Sequence, residues 1–572
     1  MKTILSFLKP YRKRLLFISL IMIADVGGSL LVPTITANMI NLAVSQANLS
    51  DILVQGIWML GIALLSGGLT LLGSWLCARL SADFGRDLRV ALYDKTLSFS
   101  TTDFETFGTA SMITRTLNDI NVLQQSLMNV LQLVLPVPVM CALGIFFSFS
   151  IHRDMGFLIL GATFLVLAAA LLIIRKAARI FELLQSFLDR MNVVLRENLT
   201  GVRVIRAFRK ETHEIKRMRK SFEDYAISAI QANRLFAGLD CLATVVINLT
   251  IVAILYLGGN QIGTGSMKVG DITAVTEYAI WILFYVMMAQ MVILLVPRAM
   301  TCMRRICAVL NHTPEIQDGT GQSGSGAGPE IFRFDHVSFR FADADENTLS
   351  DLSFSCEKGK TTAIIGGTGS GKSTIAKLLL RFHDVTAGQI TLKGTDIRSL
   401  PQSELRSAIS YIPQRAWLFS GTIEENLRYG NPDATREDLI RALKTAQADF
   451  VLDLPGGLKS HVSQGGTNFS GGQRQRLSIA RALVKTADLY VFDDSFSALD
   501  FQTDAALRHA LQEEITEAGL LIIAQRISTI LHADQILVLN EGQIAGIGRH
   551  EELMETCPVY RDIAHSQMKG GN

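Results

Sequence analysis

Charge is scarce in this chain. Asp, Glu, Lys and Arg together make up 19% of its 572 residues, against 49% hydrophobic residues. That balance is apolar for a soluble protein of this size, so a membrane-embedded part is expected. Neither sign of charge dominates: the formal net charge is +2, and no Lys/Arg-rich block with interleaved aromatics occurs, which argues against a nucleic-acid partner. Cysteine is sparse, odd in number and scattered. Cys77, Cys141, Cys241, Cys302, Cys307, Cys356 and Cys557 form no CxxC pair, so neither a zinc site nor a disulfide framework is expected. The N-terminus, MKTILSFLKPYRKRLL, has the charged start of a signal peptide but lacks a small-residue cleavage site. It reads as an uncleaved interfacial helix leading into a first span.

A hydrocarbon core about 30 Å thick needs roughly 20 apolar residues per helix. Six stretches qualify: residues 16–44, 54–78, 125–150, 155–174, 238–260 and 272–297. The connections around SQANLSD, SIHRD and GNQIGTGSMKVGD carry only Arg153 and Lys268 as cations, whereas the opposite ones hold Arg79, Arg86, Arg89, Lys95, Arg115, Arg190, Arg196, Arg203, Arg206 and Arg209 among others. The positive-inside rule then places both termini in the cytosol. Proline is absent from residues 51–99, and a single helix over that stretch would extend about 73 Å at 1.5 Å per residue. Helices two with three, and four with five, are therefore expected to project far into the cytosol as rods. Thr102–Gly108 and Leu199–Arg209 are the expected turns and docking surfaces. Pro33, Pro136 and Pro138 mark expected kinks.

Residues 312–329, HTPEIQDGTGQSGSGAGP, have linker composition. The division expected is a helical transmembrane domain over 1–310, a linker over 311–330 and a nucleotide-binding domain over 331–572. In the last, β-rich runs (TTAIIG, SAISYIP, LYVFDD, LLIIAQR, QILVLN) alternate with helical patterns, which predicts an α/β domain with a parallel sheet.

Gly366, Gly371, Lys372 and Ser373 fit G-x-x-x-x-G-K-[ST] between the strand TTAIIG and the helix STIAKLLLRF, the context this phosphate-binding motif requires. Glycines let backbone N–H groups close around phosphates, the helix N-terminus favours anions, Lys372 neutralises charge and Ser373 can ligate Mg²⁺. LYVFD ends an apolar strand on Asp493, placed to hold Mg²⁺. Between them, NFSGGQRQRL opens a helix with Ser470, Gly471, Gly472 and Gln473, chemically a second phosphate cradle. One ATP needs only one cradle. The second is explained if it reaches over a nucleotide held by another copy of the domain.

On these motifs the chain resembles the ATP-binding cassette (ABC) transporters, specifically exporters with six spans fused to one nucleotide-binding domain, and the resemblance covers essentially the whole chain. It implies ATP and Mg²⁺ as ligands. Residues Gly366, Gly367, Thr368, Gly369, Ser370, Gly371, Lys372, Ser373 and Thr374 would form the Walker A loop, and Gln414 in YIPQ the Q-loop residue that senses Mg²⁺. Ser470 to Gln473 would be the signature, Asp493 the Walker B aspartate and Ser497–Asp500 the D-loop. Phe341 in VSFRF takes the place of the aromatic that stacks on adenine. Family members pair their nucleotide domains head to tail around two ATPs, each site combining one chain's Walker motifs with the other's signature.

Two positions depart from the pattern. The family has a Glu after the Walker B Asp to polarise water, and a His in the switch strand; here these are Asp494 and Gln525. Asp494 is one methylene shorter, so its carboxylate falls about 1 Å or more from the productive place, a displacement that costs about 10²-fold in rate. Gln525 offers a hydrogen bond but neither imidazolium charge nor a proton to exchange. ATP binding should survive both changes. With the signature intact, the pattern is similar to that of heterodimeric exporters with one degenerate and one consensus site. The expectation is a subunit in a bacterial plasma membrane, paired with a second homologous half-transporter, exporting amphipathic small molecules, lipids or peptides. A regulatory or channel-like ABC protein gated by ATP, and a slow homodimeric exporter, are the alternatives.

Polar groups in apolar spans are expensive and usually face a cavity. Asp25, Asn38, Asp240, Asn248, Glu277, Tyr278 and Gln290 are candidates for the substrate path. Met287, Met288 and Met291 with Trp281, Phe284 and Tyr285 offer a soft surface for apolar ligands.

Overall fold

The apolar stretches of the first half become six helices long and apolar enough to cross a bilayer, in a computed structural model that describes residues 2–293, 295–324 and 328–569. They run Arg12–Val44, Leu49–Leu97, Thr109–Ile151, Arg153–Thr200, Glu211–Gly263 and Val269–Ile293. The second is unbroken for 49 residues, about 73 Å at 1.5 Å per residue, as the lack of proline predicts. The fourth and fifth are rods of 48 and 53 residues. Pro33 is accommodated inside the first helix.

The expected kink at Pro136 and Pro138 takes a specific form. The turn Val130–Val134 directly before Pro136 widens into a π-helix. Proline has no N–H and its ring crowds the preceding turn, so the helix loosens there rather than breaking. Both segments expected as turns contain short helices instead, Thr101–Phe107 and Val202–Ala207. The chain reverses just beyond each of them, at Gly108 with φ 73° and Arg209 with φ 50°. The expected sixth span includes Leu294, which lies outside the described residues, as do the side chains of Gln290 and Met291.

Contacts divide the chain into two units, Met1–Ser98 with Phe107–Thr313, and Phe99–Thr106 with Pro314–Asn572. Within the second, Thr102 Oγ1 lies 3.1 Å from Nδ1 of His383.

The second unit holds twelve strands among the described residues: β1 Glu330–Phe339, β2 Leu349–Glu357, β3 Thr361–Gly366, β4 Ala387–Leu392, β5 Thr395–Asp396, β6 Ile409–Ile412, β7 Gly421–Thr422, β8 His461–Val462, β9 Leu489–Asp493, β10 Gly519–Ile523, β11 Gln535–Asn540 and β12 Gln543–Gly548. The main sheet has the order β12-β11-β3-β10-β9-β6, parallel except for β12. A second, antiparallel sheet, β2-β1-β4-β5, goes beyond the single parallel sheet expected from sequence. β1 buries Ile331, Phe332, Phe334, Val337 and Phe339 and sets the polar residues Arg333, Asp335, His336 and Ser338 among them, which breaks the apolar run.

Every residue of β9 and β10 is buried, as a parallel strand covered on both faces must be. Alternate residues serve different cores. Ala363, Ile365, Leu520 and Ile522 join one apolar cluster, while Ile364, Leu521 and Ile523 join another with the antiparallel sheet. The main sheet is thus covered by an apolar cluster on each face.

Candidate nucleotide site

Four neighbouring parallel strands deliver the motifs to one edge. Gly366 ends β3, Asp493 ends β9, Gln525 lies just beyond β10 and Gln414 just beyond β6. The carboxyl ends of parallel strands are where open α/β sheets build ligand sites. Here they border a cleft of about 290 Å³ lined by Thr348, Thr368, Gly369, Ser370, Gly371, Lys372, Ser373, Thr374, Gln414, Asp494, Ile523 and Gln525.

The loop from Gly366 to the helix Lys372–Leu379 owes its course to glycine. Gly371 and Gly369 have φ of 94° and 84°, and a Cβ at Gly371 would meet Leu349 Cδ2 at 2.6 Å. Gly367 has open space where a side chain would go. Lys372 folds its ammonium back onto the loop carbonyls of Gly366 and Gly367 at 2.9 and 2.7 Å. Burial pulls its pKa down, opposed by the charges of Asp494 and Asp493. Ser370 Oγ is buried with no hydrogen-bond partner among the described residues. A positive cradle with an unused hydroxyl and a glycine-lined floor fits a polyphosphate.

Ser373 Oγ donates to Asp493 Oδ1 at 2.9 Å. These are two oxygen groups of the kind a Mg²⁺ ion takes alongside phosphate, so the donor set fits that metal. Tyr411, which no motif had marked although it sits in the YIPQ segment, donates to the other oxygen of Asp493 at 3.2 Å. Burial pushes the Asp493 carboxyl up, and these two hydroxyls oppose that.

Asp494 occupies a left-handed backbone conformation, φ 48°, which short polar residues tolerate better than bulky ones. Its N–H donates to Ile523 O at 2.8 Å and its carbonyl accepts from Ser497 Oγ at 2.8 Å. A single carboxylate oxygen, Oδ2, accepts from Gln414 Nε2 at 3.0 Å and from Gln525 Nε2 at 2.8 Å. Burial raises the Asp494 pKa, opposed first by the Gln414 hydrogen bond and then by Lys372. Gln414 therefore faces Asp494, and no hydrogen bond joins it to Asp493 among the described residues. The structure brings together Asp494, Gln525 and Gln414, which sequence reasoning had identified separately.

Ser470, Gly471, Gly472 and Gln473 do not line this cleft. Ser470 caps the helix Gly471–Leu483 in a reciprocal box with Gln473, at 3.2 and 2.9 Å. Ser470 and Gly471 are exposed. Phe341 lies beyond β1, half-buried, with Phe339 and His383 edge-on at 4.8 and 5.4 Å and Lys377 Nζ 5.9 Å from its ring. It is not among the residues lining the cleft. Thr348 and Ile523 are, and neither belongs to a recognisable motif.

A helical membrane unit of six spans joined to a P-loop ATPase unit defines the class. The comparisons agree with it: the ABC transporter family matches residues 349–497, and the ABC transporter transmembrane region matches residues 15–287. An ABC transporter ATP-binding protein of Mycobacterium tuberculosis is 36% identical over 98% of this chain and 97% of its own. The ATP-dependent lipid A-core flippase of Desulfotalea psychrophila is 30% identical over 84% of each. The structure of a bacterial Atm1-family ABC exporter with ATP bound shares the fold at a TM-score of 0.82, covering 97% of this chain and 98% of that one at 24% identity. The chain belongs to the ABC transporter family. It joins one transmembrane region and one ATP-binding domain in a single chain, an integral membrane protein whose ATP-binding domain is an ATPase coupled to transport.

Proposed function

We propose that the chain is the degenerate-site subunit of a heterodimeric exporter, sited in a bacterial plasma membrane with both termini and the ATPase domain in the cytosol. The observation that carries this reading is the Asp494 carboxylate, held through one oxygen by the amides of Gln414 and Gln525. A general base must reach the proton it abstracts. This one is a methylene short and tied down by two neutral donors, and no imidazole stands at position 525.

ATP binding asks for different groups. The amides of residues 367–373 and the Lys372 ammonium would receive the phosphates, with Phe341 beside the base. Ser373 and Asp493, with Gln414, would hold Mg²⁺, whose charge offsets that of the phosphates. The loop amides, Ser373 and Asp493 make no hydrogen bond to the side chains of Asp494 or Gln525 among the described residues, so this pocket holds ATP as a clamp. The Ser470–Gln473 end, exposed at Ser470 and Gly471, would complete the partner's site, where hydrolysis takes place. Alternating access then moves amphipathic small molecules, lipids or peptides. A lipid class agrees with the name of the flippase relative, a likeness of sequence only.

The test is ATPase activity of the assembled complex. Asp494→Ala should leave most of it, whereas Ser470→Arg should abolish it. Silencing of the complex by Asp494→Ala alone would overturn the reading. Purified single chain that transports without a second chain would favour the homodimer instead.

A further inference from the structure

The strand pairing of β10 stops at Ile523, on the side of β3 and on the side of β9 alike. The chain beyond it stays extended: Arg526 has φ −103° and ψ 131° before the short helix Ile527–Ile530. That leaves the Gln525 carbonyl and the N–H of buried Ile527 without a neighbouring strand, and such groups need partners. One side chain serves both. Gln567 accepts from the Ile527 N–H through Oε1 at 2.9 Å and donates to the Gln525 carbonyl through Nε2 at 2.7 Å. In an extended segment this carbonyl and the N–H two residues on point the same way, and a parallel strand would engage them as a pair. The Gln567 amide takes the place of one residue of such a strand.

The helix Pro558–Lys569 brings Gln567 to this place. Tyr560, Ile563, Ala564 and Gln567 follow the spacing i, i+3, i+4, i+7, which is one face of a helix. Tyr560 and Ala564 are buried, and with Ile563 they pack in the apolar cluster that holds Leu520, Ile522, Ala524 and Ile527. Tyr560 Oη also lies 2.7 Å from Nδ1 of His550. Burial of the apolar positions docks the helix, and the one polar position on that face meets the segment after β10. Gln525 is thereby held on both sides. The Ala524 N–H before it donates to Ile364 O at 3.0 Å, and its own carbonyl is taken by Gln567. Between these tethers its side chain rests on Asp494 Oδ2 at 2.8 Å, and the Asp494 N–H returns to Ile523 O at 2.8 Å. Gln567 is not among the residues lining the cleft, so its influence there runs through Gln525.

We propose that Gln567 is a positioning residue of the nucleotide site, fixing the backbone at Gln525 so that the Gln525 amide stays on Asp494. The clamp stands apart from the heterodimer reading; only its consequence for turnover rests on that reading. Gln567 is exposed, so its replacement should leave the fold intact. The full-length chain, with any partner that purifies with it, is placed in nanodiscs, and amide hydrogen exchange is followed by mass spectrometry at residue level.

Gln567→Ala should speed exchange of the Ile527 amide about tenfold or more and of the Asp494 amide about threefold or more, with β1 and β4 unchanged. In a Gln525→Ala background it should still speed Ile527 but add nothing at Asp494. Unchanged exchange at Ile527, a rise spread evenly over the nucleotide unit, or an Asp494 response that survives without the Gln525 side chain overturns the proposal. Gln567→Glu keeps the length and helix tendency of the side chain but has no donor for the Gln525 carbonyl. It should match alanine at Asp494, and wild-type exchange there would reduce Gln567 to docking its helix. In a chain carrying Asp494→Glu and Gln525→His, adding Gln567→Ala should lower kcat about threefold or more while KM for ATP stays within about twofold. Undiminished turnover overturns the positioning role. A chain in which Asp494→Glu and Gln525→His bring no gain to begin with counts against the division of labour, and the exchange measurement then decides on Gln567.

Discussion

At the scale of single residues, the proposed separation of ATP binding from hydrolysis turns on Asp494 and Gln525, each a small change in reach at an otherwise complete cradle. Restoring both, Asp494→Glu with Gln525→His, should raise ATPase turnover of the complex by about 10-fold or more while TNP-ATP affinity stays within about twofold. An unchanged turnover would show that these positions do not limit the site. Gly371 makes the opposite prediction. Its φ of 94° and the 2.6 Å that would separate Leu349 Cδ2 from a methyl group at this position leave no unstrained place for alanine, at a cost of about 1–2 kcal/mol from the backbone alone. Gly371→Ala should therefore lower TNP-ATP affinity at least several-fold, which a fluorescence titration reads directly. Cys356 gives a check on chemistry: burial in β2 pushes its thiol up to about 12, so thiolate is scarce at pH 8. Iodoacetamide at that pH should leave Cys356 unmodified in the native protein and label it only after denaturation. The motif residues were legible because phosphate chemistry demands fixed spacings. Tyr411 and Thr348 were not, since a hydroxyl aimed at Asp493 or at a cleft has no spacing of its own.

At the scale of elements, the parallel strands were legible and the antiparallel sheet was not. β9 and β10 are apolar throughout because both faces are covered, which leaves a continuous run in the sequence. β1 and β2 set polar residues among their buried apolar ones, and their pairing is broken by shifts of register near Val337. The central strands should govern the stability of the nucleotide unit. Phe492, fully buried in β9 and stacked on Phe496 at 5.2 Å, should cost about 3–5 kcal/mol when cut to alanine. The ATP-sensitive unfolding transition of the full chain should drop by several degrees, and an unmoved midpoint would contradict the packing described. In the membrane unit, the long rods followed from the missing prolines. The π-helical turn before Pro136 did not, because sequence marks where a helix is weakened and only its packing decides whether it breaks, bends or widens.

At the scale of the whole molecule, the division of labour between two chains is the consequence to test. Affinity purification from the native membrane should recover a second homologous chain with Glu and His at the positions of Asp494 and Gln525, identifiable by mass spectrometry; recovery of this chain alone in an active complex would argue for a homodimer. Sequence by itself determined that the chain crosses a membrane six times and carries a P-loop ATPase, because bilayer thickness and phosphate geometry impose lengths and spacings that any solution must obey. Only the tertiary structure decided that Gln414 and Gln525 converge on one oxygen of Asp494, that Tyr411 bears on Asp493, and that Asp25 of the first membrane helix meets the hydroxyls of Ser66 and Thr70 in the second. Those relations join residues far apart along the chain. They exist only once parallel strands end at a common edge and helices pack side by side.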